Sequence, residues 1–246
     1  MGLDAKGFAT FAPEARTLAW AQAAHRLGMA VARDPAMRAQ WLRHGDTWFV
    51  GVDALPNAPD GSIDGVPLQG PWQGAIDPPD HWHHAQLSVI YPGYPQQDRE
   101  AAAGFRYRTQ RCAAHVDGLL LENGRRFPRE PHAFILGIAL NDSAACPLTV
   151  WPGSHRVMRA AFVDVIGARD PRDVDVTEVY IAARKAVFAD CAPLALPLRA
   201  GQSVLLDRHL LHGIAPWQAG DVAPAEGRMM AYFRPLCTDP ADWLRG

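Results

Sequence analysis

Between residues 86 and 234 the chain is cut into short apolar runs punctuated by Gly, Pro, Asn and Asp. The runs are QLSVIY (86–91), AFILGIAL (133–140), PLTVW (147–151), LALPL (194–198), SVLLD (203–207) and RMMAYFR (228–234), with TWFVGVD (47–53) ahead of them. Runs of this length between turn-forming residues read as strands. Residues 156–190 interrupt the pattern with a helical excursion, clearest from Thr177 to Asp190. The first 45 residues are helical in pattern. Pro13 opens one helix that runs to about Gly28, and Asp34 caps a second, with Pro35 at its first position and Gly45 just past its end. Helices first, then many short strands with one helical insertion, predict a β-sandwich or barrel decorated by helices. A chain of 246 residues fits one such domain, with a β core over about 85–235 and the helices of 1–45 packed outside.

Composition excludes several functions. Hydrophobic residues are 48% and charged residues 20%, enough apolar surface to build a core. A net charge of −2 argues against a nucleic-acid surface and against a polybasic membrane patch. No apolar run reaches the roughly 18 residues of a membrane span, and the N-terminal stretch lacks a signal-like apolar segment. Cys112, Cys146, Cys191 and Cys237 are widely spaced, without a C-x-x-C pair, and read as reduced thiols of a cytoplasmic protein.

The segment Arg111-Cys112-Ala113-Ala114-His115-Val116-Asp117-Gly118 carries the chemistry. On a strand, side chains two residues apart project to one side, so His115 and Asp117 can occupy adjacent corners of a metal ion. A third ligand must come from elsewhere. His212, within Gly201–Gly213, is the candidate, with His209 three residues before it as competitor. Two histidines and one carboxylate on one face leave three positions open, which suits Fe(II) binding a chelating co-substrate together with dioxygen.

The surrounding residues add a resemblance. Leu148-Thr149-Val150-Trp151-Pro152-Gly153-Ser154-His155-Arg156 is similar to the strand and P-G-S-H turn of the phytanoyl-CoA dioxygenase-like family. Ile138-Ala139-Leu140-Asn141-Asp142 resembles the strand end preceding that turn, and Gly201–Gly213 resembles the segment that delivers the distal iron histidine. The match spans about residues 85–235. It implies a mainly β fold, a double-stranded β-helix (jelly roll, cupin-like) with N-terminal and inserted helices. It also implies an Fe(II)- and 2-oxoglutarate-dependent dioxygenase hydroxylating a small-molecule substrate. It carries the iron-ligand role to His115, Asp117 and His212, favouring His212 over His209.

The resemblance also asks for an arginine on the strand after His212, to pair with the far carboxylate of 2-oxoglutarate. Arg228 takes that place. A planar guanidinium suits a bidentate carboxylate contact. Arg234 shares its strand parity and is expected to serve a structural ion pair. Gln86 resembles a glutamine that contacts co-substrate in some relatives. The sequence departs from the family in the longer stretch Trp217–Gly227, and at Val116, Gly137 and Ile214. A carboxylate at Asp117 leaves no metal corner for a halide, so hydroxylation or desaturation is expected. The alternatives are a cupin-like metal enzyme that does not use 2-oxoglutarate and an inactive jelly-roll binding module.

Three further clusters have plainer readings. His209 is expected to be a packed group, and His81-Trp82-His83-His84 a loop with exposed imidazoles leading into a strand. Arg125, Arg126 and Arg129 read as a solvated charge run, in a loop near the barrel mouth, within reach of an anionic substrate.

Overall fold

The strand RMMAYF near the C-terminus shows how the chain builds a two-faced sheet. Met229, Ala231 and Phe233 join one apolar cluster, and Met230 and Tyr232 join another, because side chains alternate across a strand. The computed structural model describes residues 3, 5–99 and 101–245. In chain order it contains β1 (Phe8–Phe11), α1 (Ala15–Arg33), α2 (Pro35–Trp41), β2 (Leu42–Arg43), β3 (Trp48–Phe49) and β4 (Gln86–Ile90). There follow α3 (Ala102–Arg111), β5 (Leu119–Glu122), β6 (Arg125–Pro128), β7 (Ile135–Ala139) and β8 (Leu148–Val150). The remainder holds α4 (Ser154–Ile166), α5 (Thr177–Asp190), β9 (Leu194–Leu196), β10 (Ser203–Leu206), β11 (His212–Ile214) and β12 (Arg228–Phe233).

The large sheet runs β1-β10-β7-β12-β4-β3-β2, and a smaller one runs β11-β8-β9. A bridge between His115 and His212 adds the H-x-D segment to the free side of β11. From β4 onward the chain passes from the large sheet to the H-x-D segment, back to β7, across to β8 and β9, back to β10, across to β11 and back to β12. All these pairings are antiparallel. That winding is the expected double-stranded β-helix.

The barrel is clad on both sides. Trp20, Ala21 and Ala24 of α1 pack on the outer face of the large sheet against Leu87, Val89 and Met229. On the opposite side, α4 and α5 place Met158, Phe162, Tyr180 and Val187 with Val116, Trp151 and Leu211. Trp20 is fully buried, and its indole nitrogen donates to Gly61 O at 2.9 Å. Trp20→Ala should lower unfolding free energy by about 3–5 kcal/mol in a denaturant melt, the usual cost of emptying a large aromatic site.

Several boundaries differ from expectation. Helix α1 does not stop near Gly28 but continues to Arg33. Gly28 lies where helix and sheet come closest: a Cβ there would sit 3.0 Å from Leu87 Cδ1 and 3.1 Å from Met229 Cε. The glycine permits packing rather than ending the helix. Asp34 does cap α2, accepting from Met37 N at 2.9 Å, but α2 ends at Trp41, before Gly45, as the chain turns into β2. The N-terminal region also supplies edge strands β1, β2 and β3 beside its helices. The arginine-bearing loop is in fact a hairpin, β5 with β6, closed by Asn123-Gly124 with both residues at positive φ. No helix among the described residues is long and apolar enough to cross a membrane.

Candidate metal centre

His115 and His212 are cross-strand partners: His115 N–H donates to His212 O at 2.8 Å and His212 N–H to His115 O at 3.1 Å. Their rings stand side by side, with centroids 4.7 Å apart. Asp117, two residues beyond His115 on the same face, completes the group. Its Oδ1 is 3.1 Å from His115 Nε2, and its Oδ2 is 3.7 Å from His212 Nε2. All three ligand atoms lie within 4.8 Å of one another, a grouping that can hold a metal ion. At ligand distances of about 2.0–2.2 Å, neighbouring ligand atoms of an octahedral ion sit roughly 3 Å apart, so little movement is needed.

Backbone carbonyls fix both imidazoles in the useful tautomer. His115 Nδ1 lies 2.9 Å from Ala113 O, and His212 Nδ1 lies 2.9 Å from Leu210 O. With Nδ1–H donating to a carbonyl, each Nε2 presents its lone pair inward, the arrangement that orients metal-bound histidines. Ala113 and its neighbour Cys112 both adopt positive φ, an uncommon state for residues with a Cβ, and this turn brings the Ala113 carbonyl under the His115 ring. Gly213 allows the segment to approach β11: a Cβ there would lie 2.1 Å from Cys112 O. Gly213→Ala must push the H-x-D segment off β11. We expect metal affinity, read from calorimetric titration, to fall by about 10- to 100-fold, as when a supporting partner of a metal ligand is lost.

The electrostatics favour a cation. Burial pushes the Asp117 carboxyl up, but the His115 hydrogen bond and the charges of His212, Arg234 and His115 overcome it and hold the group well below the usual carboxylate range. His212 is driven down to about 4, chiefly by desolvation against the opposing pull of Asp117, so it is neutral and ready to ligate. His115 loses from desolvation too, but Asp117 and the Ala113 carbonyl raise it overall.

The three side chains open into a cavity of about 220 Å³. Its walls are largely apolar (Trp48, Ile135, Leu148, Ile214), with Gln86, Ser88 and Arg234 as polar points. Gln86 lines this cavity, its amide nitrogen donating to Val50 O at 2.9 Å. Arg234 lines the cavity as well, its Nη1 3.7 Å from Asp117 Oδ2, as an ion-pair partner of the centre itself. Arg228 is not a lining residue. It faces inward at the other end of β12, beyond Met230 and Tyr232, roughly 20 Å along the strand from Arg234. Ser88 pairs with Met230, and the next inward pair on the same two strands is Ile90 with Arg228. Arg228 is 4% exposed, and neither Nη1 nor Nη2 has a hydrogen-bond partner among the described residues.

Sequence reasoning missed Trp48 and Ser88, although Gln86 and Ser88 alternate as polar residues on an otherwise apolar strand, the mark of an inward polar face. Trp48 Nε1 donates to Ser88 Oγ at 3.0 Å. Tyr232 explains Gly137: a Cβ there would meet the tyrosine ring at 2.7 Å. His209 is a packed group as expected, buried against Trp243 and Phe162. In the His81–His84 stretch Trp82 is buried, and His83 is not simply exposed: its Nε2 accepts from Arg234 N at 2.8 Å.

No family model matches the chain, and no curated protein matches it at a significant level. Among solved structures it is similar to EctD from S. alaskensis with 2-oxoglutarate and 5-hydroxyectoine, at 17% identity and TM-score 0.46, over 96% of this chain and 74% of that one. It is also similar to AviO1 from Streptomyces viridochromogenes Tue57, at 15% identity and TM-score 0.41, over 97% and 93% of the two chains. A third is the non-heme iron oxygenase OrfP in complex with Fe and alpha-ketoglutaric acid, at 17% identity and TM-score 0.29, over 44% and 46%. These similarities are distant, and what the pocket can do rests on its own side chains.

Proposed function

We propose that this chain is an Fe(II)- and 2-oxoglutarate-dependent dioxygenase of the phytanoyl-CoA dioxygenase-like type, a cytoplasmic enzyme that hydroxylates a small molecule. The observation that carries the reading is the convergence of His115, Asp117 and His212 on one side of a single cavity. When bound there, Fe(II) with 2-oxoglutarate supplies dioxygen activation coupled to oxidative decarboxylation of the keto acid. The chain's own residues do the rest. Asp117, with the Nε2 atoms of His115 and His212, offers a set of donors that suits Fe(II). Trp48, Ile135, Leu148 and Ile214 limit the water around the centre.

Arg228 separates this reading from a metal enzyme that does without 2-oxoglutarate. A buried guanidinium stays charged, and leaving it unpaired costs several kcal/mol, so the position fits an incoming carboxylate. We assign it the far carboxylate of the co-substrate, and Gln86 a lesser contact at the cavity wall. The test is anaerobic reconstitution with Fe(II) and 2-oxoglutarate, followed by air and a metabolite panel, with succinate measured. Succinate release that needs both iron and keto acid, and that rises with particular metabolites, is expected. A fully iron-loaded protein that consumes no 2-oxoglutarate under any condition would favour the other metal enzyme.

A further inference from the structure

A second cavity, of about 300 Å³, adjoins the first and shares Trp48, His115 and Ile214 with it. Its far wall is built by three separate elements: Arg108 and Tyr107 from α3, Arg126 from β6, and Tyr180 and Arg184 from α5. No Asp or Glu among the described residues lines it.

The guanidinium groups are shelved on rings. Arg184 lies over Tyr107 at 4.7 Å and over Tyr180 at 5.0 Å, Arg126 over Tyr180 at 5.3 Å, and Arg108 over Trp48 at 5.8 Å. Arg108 Nη1 donates to the Tyr94 hydroxyl at 3.4 Å and Arg184 Nη1 to the Tyr180 hydroxyl at 3.5 Å. Stacking fixes the planes of Arg126 and Arg184 and leaves further N–H groups of these two for a ligand. The neighbouring arginines are otherwise engaged. Arg125 pairs with Asp175, and Arg129 pairs with Glu122 and Asp173. Arg126 and Arg184 have no carboxylate partner among the described residues, and both are only half-exposed. Like charges brought together on aromatic shelves beside a cavity repel one another until an anion joins them.

We infer that this cavity binds the anionic end of the substrate, a carboxylate or a phosphate held by Arg126 and Arg184, with the rest of the molecule extending past Trp48 and Ile214 toward His115. Its role as a substrate site rests on the oxygenase reading; its role as an anion site does not.

The test is calorimetric titration of the full chain with inorganic phosphate and, separately, with benzoate. The wild type is compared with the Arg126→Gln/Arg184→Gln double variant and with Arg126→Lys/Arg184→Lys. Melting temperatures confirm that each variant is folded. The wild type should bind at least one of the two anions. Benzoate alone would identify a carboxylate ligand, phosphate alone a phosphate, and either outcome supports the site. The Gln variant should bind at least about tenfold more weakly, with the Lys variant between the two, because charge without the planar fork recovers only part of the contact.

Binding of 2-oxoglutarate to the iron-loaded Gln variant should match the wild type. If 2-oxoglutarate binding falls with anion binding, the cavity is a co-substrate site and the inference is overturned while the oxygenase reading stands. Failure of both anions to bind the wild type, or equal binding by all variants, also overturns it. Arginine-dependent anion binding in a protein that takes up neither iron nor 2-oxoglutarate would keep the anion site and sink the oxygenase reading.

Discussion

Asp117→Ala is expected to abolish iron retention and oxygenase activity together. The carboxylate supplies the only negative charge of the donor set, and it sits 3.1 Å and 3.7 Å from the two histidine Nε2 atoms. Losing a direct ligand should exceed the roughly 10- to 100-fold drop in metal affinity typical of losing a supporting partner. The substitution also strips Arg234 of its counter-ion, since its Nη1 lies 3.7 Å from Asp117 Oδ2. Arg234 is partly exposed and keeps the charge of Glu130 nearby, so the metal-free variant should melt only modestly lower than the wild type. Asp117→Asn separates loss of charge from loss of shape, because the amide keeps the shape of the site and removes only the charge. Metal analysis after anaerobic loading, alongside thermal melts of the metal-free proteins, checks both. A variant that holds iron and turns over normally would remove Asp117 from the ligand set.

The second large effect is expected at Arg228. If its guanidinium receives the far carboxylate of 2-oxoglutarate, Arg228→Ala deletes a buried, charge-assisted contact. Such a loss costs about 2–5 kcal/mol, or roughly 30- to several-thousand-fold in affinity. The apparent constant for 2-oxoglutarate should rise accordingly, while iron affinity changes little because the ligands lie on the H-x-D segment and β11. Arg234→Ala is the internal control. It touches Asp117 rather than the deep end of β12, so it should disturb iron affinity and stability more than co-substrate binding. The opposite ranking, measured by co-substrate titration of both iron-loaded variants, would move the carboxylate contact to Arg234.

The centre was legible in the sequence because it depends on local parity. His115 and Asp117 stand two apart on an extended segment, and Gly213 after His212 marks a close backbone approach, which the structure locates at the Cys112 carbonyl. Strand β12 was legible for the same reason, since its alternating residues sort cleanly into inner and outer clusters. Other features were not. The hairpin β5–β6 turns on Asn123-Gly124, a strong signal, but its strands carry Glu122, Arg125 and Arg126 and lack an alternating apolar pattern. The edge strand β1 has four residues, too few to show a period, and it exists because β10 offers an edge to pair with. Trp48 reaches the metal cavity from a two-residue strand, positioned by pairing with Ile90. The arginine-lined cavity joins residues 108, 126 and 184, which only tertiary packing brings together. Arg228 is legible by family position alone, and what the structure adds is its burial, with neither Nη1 nor Nη2 partnered among the described residues.

The central claim is that His115, Asp117 and His212 hold one iron to which 2-oxoglutarate chelates. The most direct measurement is an anaerobic titration of the metal-free protein with Fe(II) in the presence of 2-oxoglutarate, followed by visible charge-transfer absorption. The account predicts a band that saturates at a single iron per chain, requires the keto acid, and is lost in His212→Ala while persisting in His209→Ala. A band that never forms, or one that survives in His212→Ala and disappears in His209→Ala, would contradict it.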